Sequence, residues 1–391
     1  MHSDQEEKWI DRWISWADIN TGTKNRDGIN HFIQRLKKDF SSLDGRVEEL
    51  ILPSYITWEK GELISKEPGN ALKITKRQDS KKKILFSGHL DTVFENDSSF
   101  KHAIRLNNRL IGPGVADMKG GLLVLLKALE IFESLPAASQ IGWTILLTPD
   151  EEIGSPSSYS LLVEEAKKHD WGLVFEPAYS DGAIVSARKG SLNAIIQSKG
   201  KKAHAGRDFF IGVNAFDPLI AFAERASKIS SETKGVSLNI ASLEGGGPFN
   251  IVPDKASLSF NFRALSPEEF EKGKQELKKL YLRLQNEFAS RLSWHTLAER
   301  PPKPFDDKHQ KLYEKLETAA KKLSLPLFFR TSGGVSDGNL FSMAGLATID
   351  TLGVKGKNLH THEEEADIDS LFEKATLTVE LIKELAISDV S

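Results

Sequence analysis

Ile84-Leu85-Phe86-Ser87-Gly88-His89-Leu90-Asp91-Thr92 is the stretch on which the reading of this chain turns. Its first three residues form an apolar run that reads as a buried strand. Side chains alternate along a strand, so a His and an Asp one residue apart at its carboxyl end face the same way. A histidine at a strand end is more often a satisfied structural residue than a metal ligand. The reading therefore depends on what the neighbouring strands deliver to the same edge.

Working outward, a loop from Glu95 to Asn108 leads to Ile111-Gly112-Pro113-Gly114-Val115-Ala116-Asp117-Met118-Lys119-Gly120-Gly121, and a mainly apolar helix follows from Gly121 to Phe132. Ile141 to Leu147 reads as another buried strand, running straight into Thr148-Pro149-Asp150-Glu151-Glu152-Ile153-Gly154-Ser155. After a further helix, the strand Leu173-Val174-Phe175 delivers Glu176-Pro177. Strands and helices in alternation indicate an α/β layer sandwich with a largely parallel sheet. Such sheets bind ligands beyond the carboxyl ends of their strands. His89, Asp117, Glu151, Glu152 and Glu176 all lie just after a strand or in the loop leading from it.

Upstream, residues 5–18 carry Trp9, Ile10, Trp13, Ile14 and Trp16 at helical spacing, and residues 28–40 do the same with Ile29, Phe32, Ile33 and Leu36. Both read as helices whose tryptophans and aliphatics belong to the core. Val47 to Leu52 and Ala71 to Thr75 read as strands. Beyond Ala187 the character changes: strand 191–198, helix 213–226, strands 236–243 and 255–263, a charged amphipathic helix 267–288 and a strand 293–298. That βαββαβ order is the ferredoxin-like pattern. It ends at Glu299-Arg300-Pro301-Pro302-Lys303-Pro304, whose three prolines suit a semi-rigid hinge. The α/β pattern then resumes with helix 308–323, strand 346–351 and helix 369–387. The expected fold is an α/β/α sandwich, residues 1–187 and 299–391, interrupted by an α+β lid, residues 188–298.

The 391 residues exceed one ordinary core, in keeping with two domains. A net charge of −3 and the lack of a basic block interleaved with aromatics argue against a nucleic-acid partner. No run is long and apolar enough to cross a bilayer, and the opening Met1-His2-Ser3-Asp4-Gln5-Glu6-Glu7 is acidic where a secretory signal is basic and then apolar. A soluble, cytoplasmic protein is expected. There are no cysteines, so any metal must be held by His, Asp and Glu.

Five blocks in order resemble the co-catalytic di-zinc exopeptidases and deacylases, which include glutamate carboxypeptidase, acetylornithine deacetylase, succinyl-diaminopimelate desuccinylase, aminoacylase and several dipeptidases. They are Gly88-His89-Leu90-Asp91, residues 112–121, Asp150-Glu151-Glu152-Ile153-Gly154-Ser155, Ala203-His204-Ala205-Gly206 and His360-Thr361-His362-Glu363-Glu364. The resemblance spans nearly the whole chain. It implies two Zn²⁺ ions, with Co²⁺ or Mn²⁺ as substitutes: His89 and Glu176 on one, Glu152 and His360 on the other, Asp117 bridging. Asp181 competes with Glu176, and His362 with His360. The family spacing of a His followed four residues later by Glu selects His360, with Glu364. It further implies Glu151 as general base and Asp91 as the carboxylate orienting His89 through its second ring nitrogen. On the lid, His204 would reach the scissile carbonyl oxygen, in dimeric relatives from the partner subunit. Asn250 and Arg263 would hold the substrate carboxylate. Gly334, within residues 331–338, would line the specificity pocket.

The activity implied is hydrolysis of an amide or peptide bond to release a free amino acid, of carboxypeptidase or dipeptidase type. A deacylase of N-acyl amino acids uses the same machinery, and a metal- or amino-acid-binding protein without catalysis is the reading from another class. The expected partners are a small peptide or N-acyl amino acid and a second copy of the chain joined through the lid.

Overall fold

The central sheet has six strands in the order Arg46–Leu50, Ala71–Lys76, Gly142–Thr148, Lys83–His89, Trp171–Val174 and Thr348–Ile349. The last four run parallel, and the first two form an antiparallel edge. The computed structural model describes residues 3–388, so Met1 and His2 of the acidic opening stretch lie outside it. All seven residues of Gly142–Thr148 are buried, as expected where helices cover both faces of a parallel sheet. Alternation divides the strand before the quoted His between two cores. Ile84 and Phe86 face a large cluster shared with the helices Asp4–Ala17, Arg26–Asp39, Gly121–Glu133 and Asp369–Ile387. Leu85 faces a smaller cluster under Tyr159–Ala166 and Asp337–Met343.

The tryptophan stripe is core, as expected: Trp9, Trp13 and Trp16 are buried. The Trp13 indole also donates 3.0 Å to the Val115 carbonyl, bracing the loop that carries Asp117. Gly121 begins its helix against the strand end at Phe175, and a Cβ there would lie 1.9 Å from the Phe175 carbonyl oxygen. Gly121→Ala is therefore expected to cost about 1–3 kcal/mol through overpacking, read as a lower urea midpoint with unchanged m-value.

The inserted sheet is antiparallel, in the order Ser237–Gly245, Lys255–Ala264, Gly190–Lys199 and Arg291–Arg300. The helices Asp217–Ala226 and Pro267–Glu287 cover one face around a separate core that includes Leu192, Ile196, Phe222, Phe260 and Leu277. The first of these helices begins at Asp217 rather than Val213. Val213 is tied to Lys201 by reciprocal backbone bonds of 2.8 and 3.0 Å, and Pro218 occupies the first turn, where proline is tolerated. At the two crossings between layers, Arg188 and Lys303 exchange backbone bonds of 2.9 and 3.1 Å.

Two further features depart from expectation. The segment read as a loop, 95–108, contains the strand Ile104–Leu106, which pairs with Arg109–Ile111 and, beyond it, Glu365–Asp367 and Gly356–Lys357. This small sheet places the loop holding His360 beside the loop holding Asp117. A hairpin, Tyr55–Glu59 with Glu62–Lys66, also stands where no strands were expected. Among the described residues, no helix is long and apolar enough to cross a membrane.

Candidate active site

Parallel strands deliver three candidate ligands to one edge. His89 ends Lys83–His89, Glu176 follows Trp171–Val174, and Glu152 sits in the single turn Glu151–Ile153 after Gly142–Thr148. Asp117 and His360 enter from the two loops that the small sheet brings together. His89 Nε2 lies 3.0 Å from Asp117 Oδ1 and 3.8 Å from Glu176 Oε2. His360 Nε2 lies 3.2 Å from Asp117 Oδ2 and 3.3 Å from Glu152 Oε2. The two oxygens of Asp117 thus face different histidines. The result is two triads sharing one carboxylate, each with its ligand atoms within 4.8 Å of one another. His360 is held at φ 63°, a left-handed conformation unusual for a side chain of its size. His362 stacks on Phe100 instead, with ring centroids 5.5 Å apart, and Asp181 pairs with Arg330 at the surface.

These residues suit a pair of divalent ions. The donors are imidazole and carboxylate with no thiolate, the set that Zn²⁺, Co²⁺ and Mn²⁺ share. Glu152 Oε1 is buried without a hydrogen-bond partner, an acceptor that a cation would satisfy. These groups also perturb one another's protonation. Burial and then the charge of Asp117 push the Glu152 carboxyl up to about 7. Hydrogen bonds to Asp117 and Glu152 push the His360 imidazole up to about 11. Burial alone would raise Asp117, but the imidazoles of His360 and His89 hold its carboxyl well below the usual range.

Supporting residues fix this geometry. Glu364 accepts from the backbone N–H groups of Gly114, Ala116 and Asp117 at 3.2, 2.9 and 3.0 Å. It therefore clasps the turn that presents Asp117 from the same loop that carries His360. Asp91 stands beside His89, as expected, and makes further contacts. The nearest partner of His89 Nδ1 is the Asp91 main-chain carbonyl at 2.9 Å, with carboxylate Oδ1 at 3.4 Å. The Asp91 carboxylate accepts more closely from the N–H groups of Glu151 and Glu152, at 3.1 and 3.2 Å, and from Thr23 Oγ1 at 2.8 Å. It anchors the Glu151-Glu152 turn as well as standing beside the histidine.

Glu151 is buried, with its Oε1 accepting from Arg300 Nη1 at 2.6 Å. Burial raises its carboxyl well above the ordinary value, the Arg300 guanidinium opposes that rise, and Glu176 adds to it. Arg300 had no role in the sequence reading. Its place in a proline-rich hinge draws attention to the backbone, and with Glu299 and Lys303 charged beside it no local signal singles out its side chain.

A cavity of about 290 Å³ opens on Glu151, Glu152, His360, Arg263, Arg300 and Gly334. A second, about 240 Å³, opens on Asp117, Glu176, His360, Arg188 and Gly334. Gly334 and His360 line both. Arg188, also unforeseen, has its Nε 2.6 Å from Asp350 Oδ2. A larger cavity of about 450 Å³, between the Tyr55–Lys66 hairpin and the inserted sheet, has neither triad on its walls.

The lid residues separate. Arg263 reaches the first cavity, its Nη1 donating to the Gly333 carbonyl at 2.6 Å and its Nε to Asn261 Oδ1 at 2.9 Å. His204 and Asn250 are exposed at a two-stranded ribbon, Ala203–His204 with Ile251–Val252, and line neither cavity. His204 Nδ1 accepts from the N–H groups of Gly206 and Arg207 at 3.1 and 3.2 Å.

Residues 85–384 match peptidase family M20/M25/M40, and the chain belongs to that family. It is accordingly a hydrolase of metallopeptidase or amidohydrolase type. It is similar to carboxypeptidase G2 of Pseudomonas sp. (strain RS-16), 29% identical over 311 residues, 78% of this chain and 74% of the relative. Succinyl-diaminopimelate desuccinylase of Psychrobacter sp. (strain PRwf-1) is 28% identical over 330 residues, 77% of this chain and 79% of the relative. Among solved structures, aminopeptidase PepT of Bacillus cereus superposes with a TM-score of 0.72 at 23% identity, over 97% of this chain and 99% of that one. A tripeptidase of Staphylococcus aureus gives 0.73 at 22% identity, over 98% and 99%. These two likenesses establish the fold.

Proposed function

We propose that this protein is a two-metal exopeptidase, cleaving a small peptide to release its C-terminal amino acid, with residues 188–298 as a lid. The observation that carries the reading is the sharing of Asp117 between two His/carboxylate triads, beside a cavity that also holds a carboxylate outside both triads, Glu151, and a guanidinium, Arg263. His89 and Glu176 would hold one divalent ion, Glu152 and His360 the other, with Asp117 between them. Bound there, the ions supply Lewis-acid polarisation of the scissile carbonyl and acidification of water.

The chain's own groups do the rest. Glu151 takes the proton from the attacking water and returns it to the departing nitrogen, one carboxylate serving as base and then acid. Arg263 binds the carboxylate of the departing amino acid through its planar fork. Gly334 has no side chain, which keeps the wall between the two cavities open to a bound chain. His204 and Asn250 complete the site when a lid closes over it, from the same chain or a second copy.

A deacylase of N-acyl amino acids would use the same residues, and the similarity to a desuccinylase favours keeping it as the second reading. The test is to incubate the zinc-loaded protein with dipeptides ending in Glu, Asp, Gly or Ala and with N-acetyl and N-succinyl amino acids, and to quantify the amino acid released. Release from the dipeptides is the expected result. Release from the acyl compounds alone selects the deacylase, and release from neither refutes both.

A further inference from the structure

Arg300 is the last residue of the lid strand Arg291–Arg300, immediately before Pro301 and Pro302. Its side chain is 3% exposed and reaches out of the lid into the α/β layer. Nη1 donates to Glu151 Oε1 at 2.6 Å, while Nη2 donates to the Glu151 carbonyl at 3.2 Å, Ser155 Oγ at 2.6 Å and Asp337 Oδ1 at 2.9 Å. One guanidinium therefore grips Glu151 at both its side chain and its backbone. Ser155 Oγ in turn donates to the same Asp337 oxygen at 2.5 Å, closing the ring.

A second, independent contact joins the same two segments. Gly154 lies at φ +94°, and a Cβ there would sit 2.5 Å from the Ala298 Cβ of the lid strand. The turn after Gly142–Thr148 is thus pressed against residues 298–300 with no space for a side chain. Electrostatically, a single guanidinium serves two carboxylates, Glu151 and Asp337, so it orients Glu151 without cancelling its charge. Hydrogen bonding occupies Oε1, and Oε2 is the oxygen left for proton transfer.

We infer that Arg300 is a positioning residue: it fixes which oxygen of Glu151 faces the reacting centre and ties that orientation to the strand by which the chain returns from the lid to the catalytic layer. The inference rests on the role of Glu151 as base proposed above. Arg300 acts through Glu151, so its loss affects turnover more than substrate binding.

The test compares wild type, Arg300→Met and Arg300→Lys as metal-loaded full-length proteins, reading kcat, KM, bound metal, thermal midpoint and crystal structure. For R300M, kcat falls about 10²-fold, the scale on which misplacement by an ångström acts. KM changes by less than about threefold, the signature of an interaction used only in the transition state. Metal content stays at the wild-type value, and the Glu151 carboxylate leaves its wild-type position. R300K recovers part of kcat, because one ammonium cannot reach both carboxylates and the backbone carbonyl. Should R300M not fold, R300K carries the test: kcat lowered about tenfold at unchanged KM supports the inference, and wild-type kcat overturns it. A rise in KM at constant kcat, or parallel loss of metal and thermal stability in both variants, also overturns it. If the wild type releases no amino acid, the proposed function fails, and the crystal structures still decide: Glu151 displaced in R300M or R300K supports positioning, and Glu151 unmoved refutes it.

Discussion

Glu151→Gln is expected to lower kcat by about 10²–10⁴-fold, the contribution of a positioned general acid–base, while metal content stays unchanged. Gln is the informative replacement because its amide oxygen can still accept from Arg300 Nη1, which now donates to Glu151 at 2.6 Å. Glu151→Ala would instead leave a buried guanidinium with a lost partner, so that a drop in activity would mix catalysis with destabilisation. Glu151 belongs to neither ligand triad, which is why the metal should stay. The check pairs steady-state kinetics with elemental analysis of dialysed protein. Substantial residual turnover would refute the assignment of Glu151 as base, and loss of metal would make it a ligand.

Asp117→Asn is expected to act on both triads together. Asp117 presents one oxygen to His89 at 3.0 Å and the other to His360 at 3.2 Å, so removing its charge weakens both positions. Residues that merely support a ligand change metal affinity by about 10–100-fold when replaced, and loss of a shared ligand should exceed that. Dialysed D117N should retain fewer than two metals per chain, and turnover should fall at least as far as in E151Q. Glu176→Gln, by contrast, touches one triad only and should spare the metal held with Glu152 and His360. Equal retention of metal by D117N and wild type would remove Asp117 from its bridging place.

Much of the fold is legible in the sequence because buried parallel strands appear as continuous apolar runs, and Lys83–His89, Gly142–Thr148 and Trp171–Val174 all do. The acids and His at their ends are legible as a set: each alone has an ordinary structural explanation, and their common place after successive strands is what marks a site. What escaped was short or indirect. Ile104–Leu106 and Glu365–Asp367 have three residues each, too few to show alternation, yet the sheet they help build brings Asp117 and His360 together. Arg300 stood in a proline-rich connection, and nothing local told that its side chain crosses back to Glu151. Glu364 was marked by its spacing from His360, but its grip on three backbone N–H groups is a property of the folded loops. His204 and Asn250 were read from resemblance, and in a single chain they lie at the lid surface, outside both cavities.

We propose amide hydrolysis with Glu151 as base at a site where His89, Glu176, Glu152 and His360 would hold two divalent ions with Asp117 between them. Titration of chelator-stripped protein with zinc, following amino-acid release from a C-terminal glutamyl dipeptide, tests it most directly. The expected result is no release without metal, a rise that breaks at two equivalents per chain, and E151Q taking up the same two equivalents without release. Full activity in the stripped protein, or a break at one equivalent, would contradict it.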